Sequence, residues 1–468
     1  MEGPRIYNLF PRLAGPLNKW MEHVCRARDM GFNWIYVNPI NYPGFSASLY
    51  ATKDYYKLNP IFAPVDAPEK NKFSFAPFRQ FITDCHAIGM RVMVDLVINH
   101  TAVDSDLVKE HPDWYMHKWA VVSKESGRVV FYLDNFQDLN HPETSRQWNS
   151  EKFMIEWRVA NPFAIDPSNA QKITIWGDLA EIDNENSPDR ANLWSYWETL
   201  VDFYLDLGVD GFRGDAAYKI PSSLWRQLII HAKSRSKNII FLAETLGCTL
   251  PQIQALASSG FDFIFSSSKY WDFTARWAME QYNTFRVYFP SISFPESHDT
   301  PRLAAETGGR KDVQFFRYFF AAFFSAGTLI PIGYEYGFKR SLDVVLTSPQ
   351  DWESPTFDLT QDIARVNVFK KTYRCLNEDG PMVHFEYGDQ NILVLRKASC
   401  DEKQLLLLIY NKDWHASHHV ILADMRYFLP LSAPIVQLDI DGHKKPLASN
   451  TWEKFLDPNE FTLFLQEI

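Results

Sequence analysis

The sequence predicts an α/β protein: a (β/α)8 TIM barrel with a domain inserted after the third strand and a C-terminal antiparallel β-sandwich. Three observations carry this. Strand-sized apolar runs alternate with amphipathic helical runs through most of residues 1–376. The strands count to eight, and eight parallel strands joined by right-handed crossovers can close into a barrel. The alternation breaks once, at 99–186, and ends for good near 377. An open doubly wound sheet is the alternative. No G-x-G-x-x-G follows the first strand, and the count of eight favours closure.

In chain order, 5–10 reads as the first strand. Residues 18–30 form a helical run stopped by Gly31. The second strand, 32–38, is nearly all apolar, as a strand buried on both faces should be. A helix at 75–88 ends at Gly89, and the third strand is 91–98. Glycine at these stops suits a left-handed C-cap. Residues 99–186 are rich in His, Asp, Asn, Trp and Pro, with short strand-like pieces at 129–133 and 172–175. That is too long for a connecting loop and reads as an inserted domain. Ser187-Pro188 then caps a long helix running to Gly208, with Pro in its first turn. Strands four to eight follow at 209–213, 238–243, 261–265, 292–296 and 329–332. Helices occupy 221–237, 315–325 and 362–375. The barrel is thus assigned to 1–98 and 187–376, the insertion to 99–186, and the sandwich to 377–468. In that last part strand-sized runs stand at 391–395, 405–410, 419–422, 435–438 and 461–465, separated by turn residues.

Bulk composition narrows the function classes. Hydrophobic residues make up 46% and charged residues 22% of 468, the balance of a soluble globular chain. The net charge of −10 argues against nucleic-acid and anionic-membrane partners. No run is long enough to span a bilayer. Five scattered cysteines with no C-x-x-C, and an N-terminus without an apolar h-region, point to reduced thiols and a cytoplasmic protein.

The chemistry gathers at strand ends, where a TIM barrel keeps its active residues. Strand three ends Asp95-Leu96-Val97-Ile98-Asn99-His100. Strand four ends Arg213-Gly214-Asp215, strand five Ala243-Glu244-Thr245, and strand seven Glu296-Ser297-His298-Asp299. Arg213 and Asp215 are two apart, so on a strand they face the same side, and the arginine should hold the aspartate ionised. A buried structural ion pair is the competing reading of that fragment. Asp95 alone reads as an anchor for the strand-three loop, and Asp299 as an N-cap. Jointly, Asp215, Glu244 and Asp299 at one mouth repel one another, which stability does not require. Glycoside cleavage does require such a set. One carboxylate attacks the anomeric carbon, a second with a raised pKa protonates the leaving oxygen, and a third holds the sugar. Strands four and five are neighbours, so Asp215 and Glu244 would stand about 5 Å apart, the retaining spacing.

The ordered set V-D-L-V-I-N-H at 94–100, G-F-R-G-D at 211–215, L-A-E-T at 242–245 and S-H-D at 297–299 resembles the four signature regions of the α-amylase superfamily. The resemblance spans the chain. It implies a retaining enzyme on α-linked glucosides, with Asp215 as nucleophile, Glu244 as acid/base and Asp299 as third carboxylate. It further implies that Arg213 orients the nucleophile and that His100 and His298 bind hydroxyls. Tyr50, in the segment 49–56, would stack on the sugar, and Asp54 and Lys219 would join the substrate contacts. Tyr218-Lys219 stand where many amylases carry a lysine-histidine pair. The family's calcium ligands include that histidine's carbonyl and an asparagine like Asn99. The expectation is therefore no metal and no other cofactor, with an oligosaccharide or α-glucan as the partner. Segments 111–114, 176–180 and 241–244 resemble the bacterial maltosyltransferases that use maltose 1-phosphate, which keeps glycosyl transfer open beside hydrolysis. A silent barrel serving as a binding subunit is the remaining alternative. Such members lose a catalytic carboxylate, and none is lost here.

Overall fold

The computed structural model describes residues 2–133, 148, 150–166 and 169–468. Eight parallel strands close into a barrel: β1 Arg5–Leu9, β2 Trp34–Val37, β3 Arg91–Leu96, β4 Gly211–Gly214, β5 Ile240–Ala243, β6 Phe263–Phe265, β7 Ser291–Ser293 and β8 Gly327–Pro331. Neighbours pair in sequence order, and β1 closes the ring against β8. A helix follows each strand: α1 Trp20–Asp29, α2 Ala76–Ala87, α3 Arg190–Leu207, α4 Ser222–Arg235, α5 Leu250–Ala255, α6 Trp277–Phe285, α7 Lys311–Phe324 and α8 Thr360–Thr372.

The period of two along the strands builds the barrel interior in layers. Ile6, Trp34, Met93, Leu242, Phe265 and Ile292 pack together as an apolar plug. One step further along, the inward positions turn polar: Asn8, Asp95 and Arg213. Gly211 makes room for the plug, since a Cβ there would stand 3.2 Å from the Trp34 ring. Gly214 faces the other way, where a Cβ would come within 2.7 Å of the Trp225 indole.

The insertion contains a three-stranded antiparallel sheet (His117–Ser123 between Val129–Tyr132 and Phe153–Val159) and a hairpin of Phe163–Asp166 with Asn169–Ile175. His100–Ala102 pairs with Leu179–Glu181 and ties the insertion to the end of β3. The C-terminal part is a sandwich. A six-stranded antiparallel sheet faces a two-stranded one, with Val394, Leu407, Val420, Leu456 and Phe464 between them. It docks on α7. Phe316 stacks on Tyr410 at 12°, and the sandwich's buried Lys397 donates to carbonyls at the α7 C-terminus, where Lys370 of α8 also donates.

Element boundaries depart from expectation in places. Helix α3 begins at Arg190 with Asp189 at its N-cap, so Ser187-Pro188 does not cap it. Ser187 Oγ instead donates to the Asp113 carbonyl at 2.7 Å, a tie to the insertion that sequence spacing does not reveal. Strand β7 stops at Ser293, before Pro295, which has no N–H for the ladder. Met382–Phe385, Lys444–Pro446 and Trp452–Leu456 are further strands of the sandwich. The Lys444–Pro446 strand is exposed throughout and lacks apolar alternation, so it carries no strand signal.

Candidate active site

The site grows from the polar layer above the plug. Arg213, 1% exposed, is its centre. Its Nη1 donates to Asp95 Oδ1 at 2.5 Å and to Asp215 Oδ1 at 3.0 Å, and Nη2 lies 3.8 Å from Asp299 Oδ2. The guanidinium is thus shared among three carboxylates. Asp95 is fully enclosed. Burial pushes its carboxyl up, Arg213 pulls it down, and the net direction is up. Its Oδ2 accepts from the hydroxyls of Tyr36 at 2.5 Å and Tyr50 at 3.0 Å. Asp95 therefore neutralises and orients Arg213; it does not anchor the loop that the sequence suggested. Asn38 donates to both tyrosine hydroxyls and accepts from Asn8. Tyr36 and Asn38 escaped the sequence reading, since they sit in a stretch that reads as a wholly buried strand. The signal was present in Tyr36, whose hydroxyl needs a partner when buried.

Asp215 follows β4, and its amide donates to the Leu96 carbonyl at 3.2 Å. Glu244 follows β5, with its amide on the Gly214 carbonyl at 3.1 Å. The two carboxylates thus extend from adjacent strands, whose spacing is about 4.8 Å. Between them, Ala216 adopts φ +42°, in the left-handed region that non-glycine residues rarely enter. That turn aims the Ala216 amide at Glu244 Oε2, 3.1 Å away. Strain of this kind costs of order 1–3 kcal/mol and recurs at functional sites. The Glu244 carboxyl is pushed up to about 7, first by burial and then by Asp215 and Asp299, against the pull of Arg213 and the Ala216 amide.

Asp299 and His298 come from the loop after β7. His298 Nε2 lies 3.0 Å from Asp299 Oδ2 and 2.8 Å from the Tyr50 hydroxyl, and its ring lies parallel to that of Tyr50. The Asp299 side chain is half exposed toward the mouth. Enclosing walls still push its carboxyl up; His298 and Arg213 outweigh them and hold it at about 2. His100 Nε2–H donates to the Tyr50 carbonyl at 3.1 Å, and its buried Nδ1 has no partner among the described residues. Burial lowers its pKa despite the nearby Asp215. Asp215, Glu244, Asp299, Arg213, Tyr50, His100 and His298 therefore share one network. The neighbouring strand-end carboxylate, Glu296, does not. It is buried in an ion pair with Arg302 at 2.8 Å.

Two further expectations fare differently. Lys219 is exposed beyond Asp215, with Nζ 3.5 Å from the Phe163 carbonyl and 6.0 Å from the Trp176 ring. It joins the barrel to the insertion hairpin at the rim. Asp54 is not brought to the network. It accepts from the Tyr56 amide and pairs with Lys57 at 2.8 Å, because period two turns it away from Tyr55 and the core. Tyr218 is the other member of the Tyr218-Lys219 pair. Its hydroxyl pKa is raised by burial and by the nearby Glu244 and Cys248. For a hard cation, Asn99 Oδ1 and Glu181 Oε2 are buried oxygens without hydrogen-bond partners. No group of three carboxylate or imidazole ligands forms there among the described residues. Calcium takes six to eight oxygens, so these residues alone do not make its site.

The geometry defines a class: a TIM barrel whose mouth holds three carboxylates around one buried arginine. The α-amylase-type fold extends over the whole chain. An α-amylase from Lactobacillus plantarum superposes with a TM-score of 0.68 at 19% identity, covering 99% of this chain and 98% of that one. The α-amylase from Geobacillus thermoleovorans, complexed with acarbose, gives 0.71 at 15% identity, covering 99% and 98%. The family model "Glycogen debranching enzyme, glucanotransferase domain" matches residues 1–119. By sequence the chain is similar to an α-1,4-glucan:maltose-1-phosphate maltosyltransferase of Burkholderia pseudomallei, 22% identical over 85% of this chain and 31% of that protein. It is also similar to an intracellular maltogenic amylase of Bacillus subtilis, 24% identical over 88% and 64%. The chain thus spans about a third to two thirds of the length of these relatives.

Proposed function

We infer that the protein is a retaining enzyme acting on α-linked glucosides such as maltooligosaccharides, through a covalent glycosyl-enzyme intermediate. The observation that carries this is the contrast within one mouth. Glu244 keeps its proton to about 7, while Asp215 accepts a hydrogen bond from a buried arginine at 3.0 Å. An acid and a nucleophile held in such different environments are what retaining cleavage needs. Asp215 attacks the anomeric carbon as Glu244 gives its proton to the leaving oxygen. Glu244 then takes a proton from water or from an acceptor sugar, which displaces Asp215. Arg213 keeps Asp215 aimed. Asp299 and His298 face the sugar hydroxyls, and Tyr50 forms the wall against the ring.

Transfer to a sugar acceptor in place of water is the second reading. The similarity to maltosyltransferases favours it, as does the departure at Tyr218-Lys219 on the rim where an acceptor would enter. Product analysis separates the two. Incubation with maltotriose should give smaller maltooligosaccharides with the α-anomer formed first, read by proton NMR. Release of phosphate from maltose 1-phosphate in the presence of a maltooligosaccharide would select transfer. Inversion at the anomeric centre would refute the two-step mechanism. We place the protein in the cytoplasm, where its five free cysteines stay reduced.

A further inference from the structure

A second polar cavity stands apart from the carboxylate network. It encloses about 80 Å³ at the C-terminal ends of β6 and β7. Pro295, where the His298–Asp299 loop leaves β7, and Leu303 and Glu306, where the chain returns, form one side. Lys269 after β6 and Arg317 of α7 form the other.

Its charges do not balance. The Lys269 side chain is only 5% exposed, and the carboxylate it meets, Glu306 at 3.3 Å, is half exposed. Arg317 makes no hydrogen bond or ion pair with any described residue. Its guanidinium sits 4.5 Å over the Phe273 ring. Phe273 holds φ +65°, an outlying backbone for a bulky residue, so the ring that supports the guanidinium is itself kept in a strained pose. Two largely enclosed cations against one carboxylate are unfavourable unless a further negative charge joins them. Water can solvate the guanidinium but brings no charge.

We propose that this cavity binds a small tetrahedral oxyanion of the inorganic phosphate or sulfate type, held by Arg317 and Lys269. The planar guanidinium fork matches two oxygens of such an anion, and the ammonium supplies a point charge to a third. Glu306 competes with the anion for Lys269, so binding loosens the Lys269–Glu306 contact.

Isothermal titration of the full chain with sodium phosphate, at constant ionic strength kept with sodium chloride, tests this. One saturable site with Kd on the order of 1 mM or tighter is expected. Sulfate competes and chloride does not. Arg317→Gln weakens binding by at least about tenfold. Glu306→Gln tightens it, because the competing carboxylate is gone. Thermal melts report whether each variant folds, and the sign of the Glu306→Gln effect decides the matter if Arg317→Gln does not. Absence of saturable phosphate binding to the wild type, or phosphate binding that neither substitution changes, overturns the proposal. The readout is binding alone, so it stands or falls independently of the catalytic assignment.

Discussion

Replacing Glu244 by glutamine probes the acid at the centre of the site. In the wild type the Glu244 carboxyl rises from an ordinary 4.5 to about 7. That difference raises its ionised form by about 3 kcal/mol. Two consequences follow, with signs fixed by the same shift. The protonated acid is needed for cleavage, so kcat/KM on maltotriose should fall about tenfold per pH step above about 7. Between 4.5 and about 7 the folded state also binds more protons than the unfolded state. The stabilisation is therefore full below the lower value and is lost as pH rises through the upper one. Glu244→Gln removes both effects. Its turnover of maltotriose should drop by about 10²–10⁴. Turnover of α-maltosyl fluoride, whose leaving group needs no proton, should suffer much less in the first step. The variant should melt above the wild type beyond about pH 8, by no more than about 3 kcal/mol, and together with it below about pH 4. Steady-state kinetics across pH and parallel thermal melts provide the readouts. Wild-type turnover of maltotriose by Glu244→Gln, or melting curves whose gap does not change with pH, would refute the reasoning.

Other expectations can be checked alongside. Asp215→Asn should cut turnover by several orders of magnitude while leaving the melting temperature close to wild type; near-normal activity would remove Asp215 as nucleophile. Ala216→Gly keeps the left-handed turn and its amide, so the basic limb stays in place. Ala216→Val crowds that turn and draws the amide from Glu244, which should move the limb to higher pH. Lys370→Met should destabilise the fold by about 3 kcal/mol or more in urea titration, since it strands the Ala322 and Ser325 carbonyls at the end of α7 and the Leu376 carbonyl beyond α8. Exhaustive dialysis against EDTA should leave kcat on maltotriose unchanged, and restoration of lost activity by calcium alone would contradict that.

The legible part of the site was the part written on strands. Arg213 and Asp215 share a face because strand side chains alternate, and the order of strands in a barrel puts Glu244 next door. Asp54 shows the limit of such reading. It stands four residues from Tyr50 in the same segment, yet its side chain closes a local turn with Tyr56 and Lys57. Asp95 shows the converse. It reads as a loop anchor, and only the approach of β3 to β4, pairing Asp95 with Arg213, makes it the arginine's main counter-charge.

What the sequence by itself determined was periodic and local. It set the eight strands, the glycine stops of the helices, the interruption after the third strand, and which carboxylates end which strands. Each follows from a repeat of two or 3.6 residues or from the backbone preferences of Gly and Pro. What only the tertiary structure decided was how charge is shared. Arg213 divides itself among Asp95, Asp215 and Asp299 across three strands, and the strained turn at Ala216 lends an amide to Glu244. Those contacts depend on distances of a few ångströms between segments far apart in the chain. They set the acid and the nucleophile in different surroundings because electrostatic energy depends on separation and burial, which no spacing along the sequence encodes.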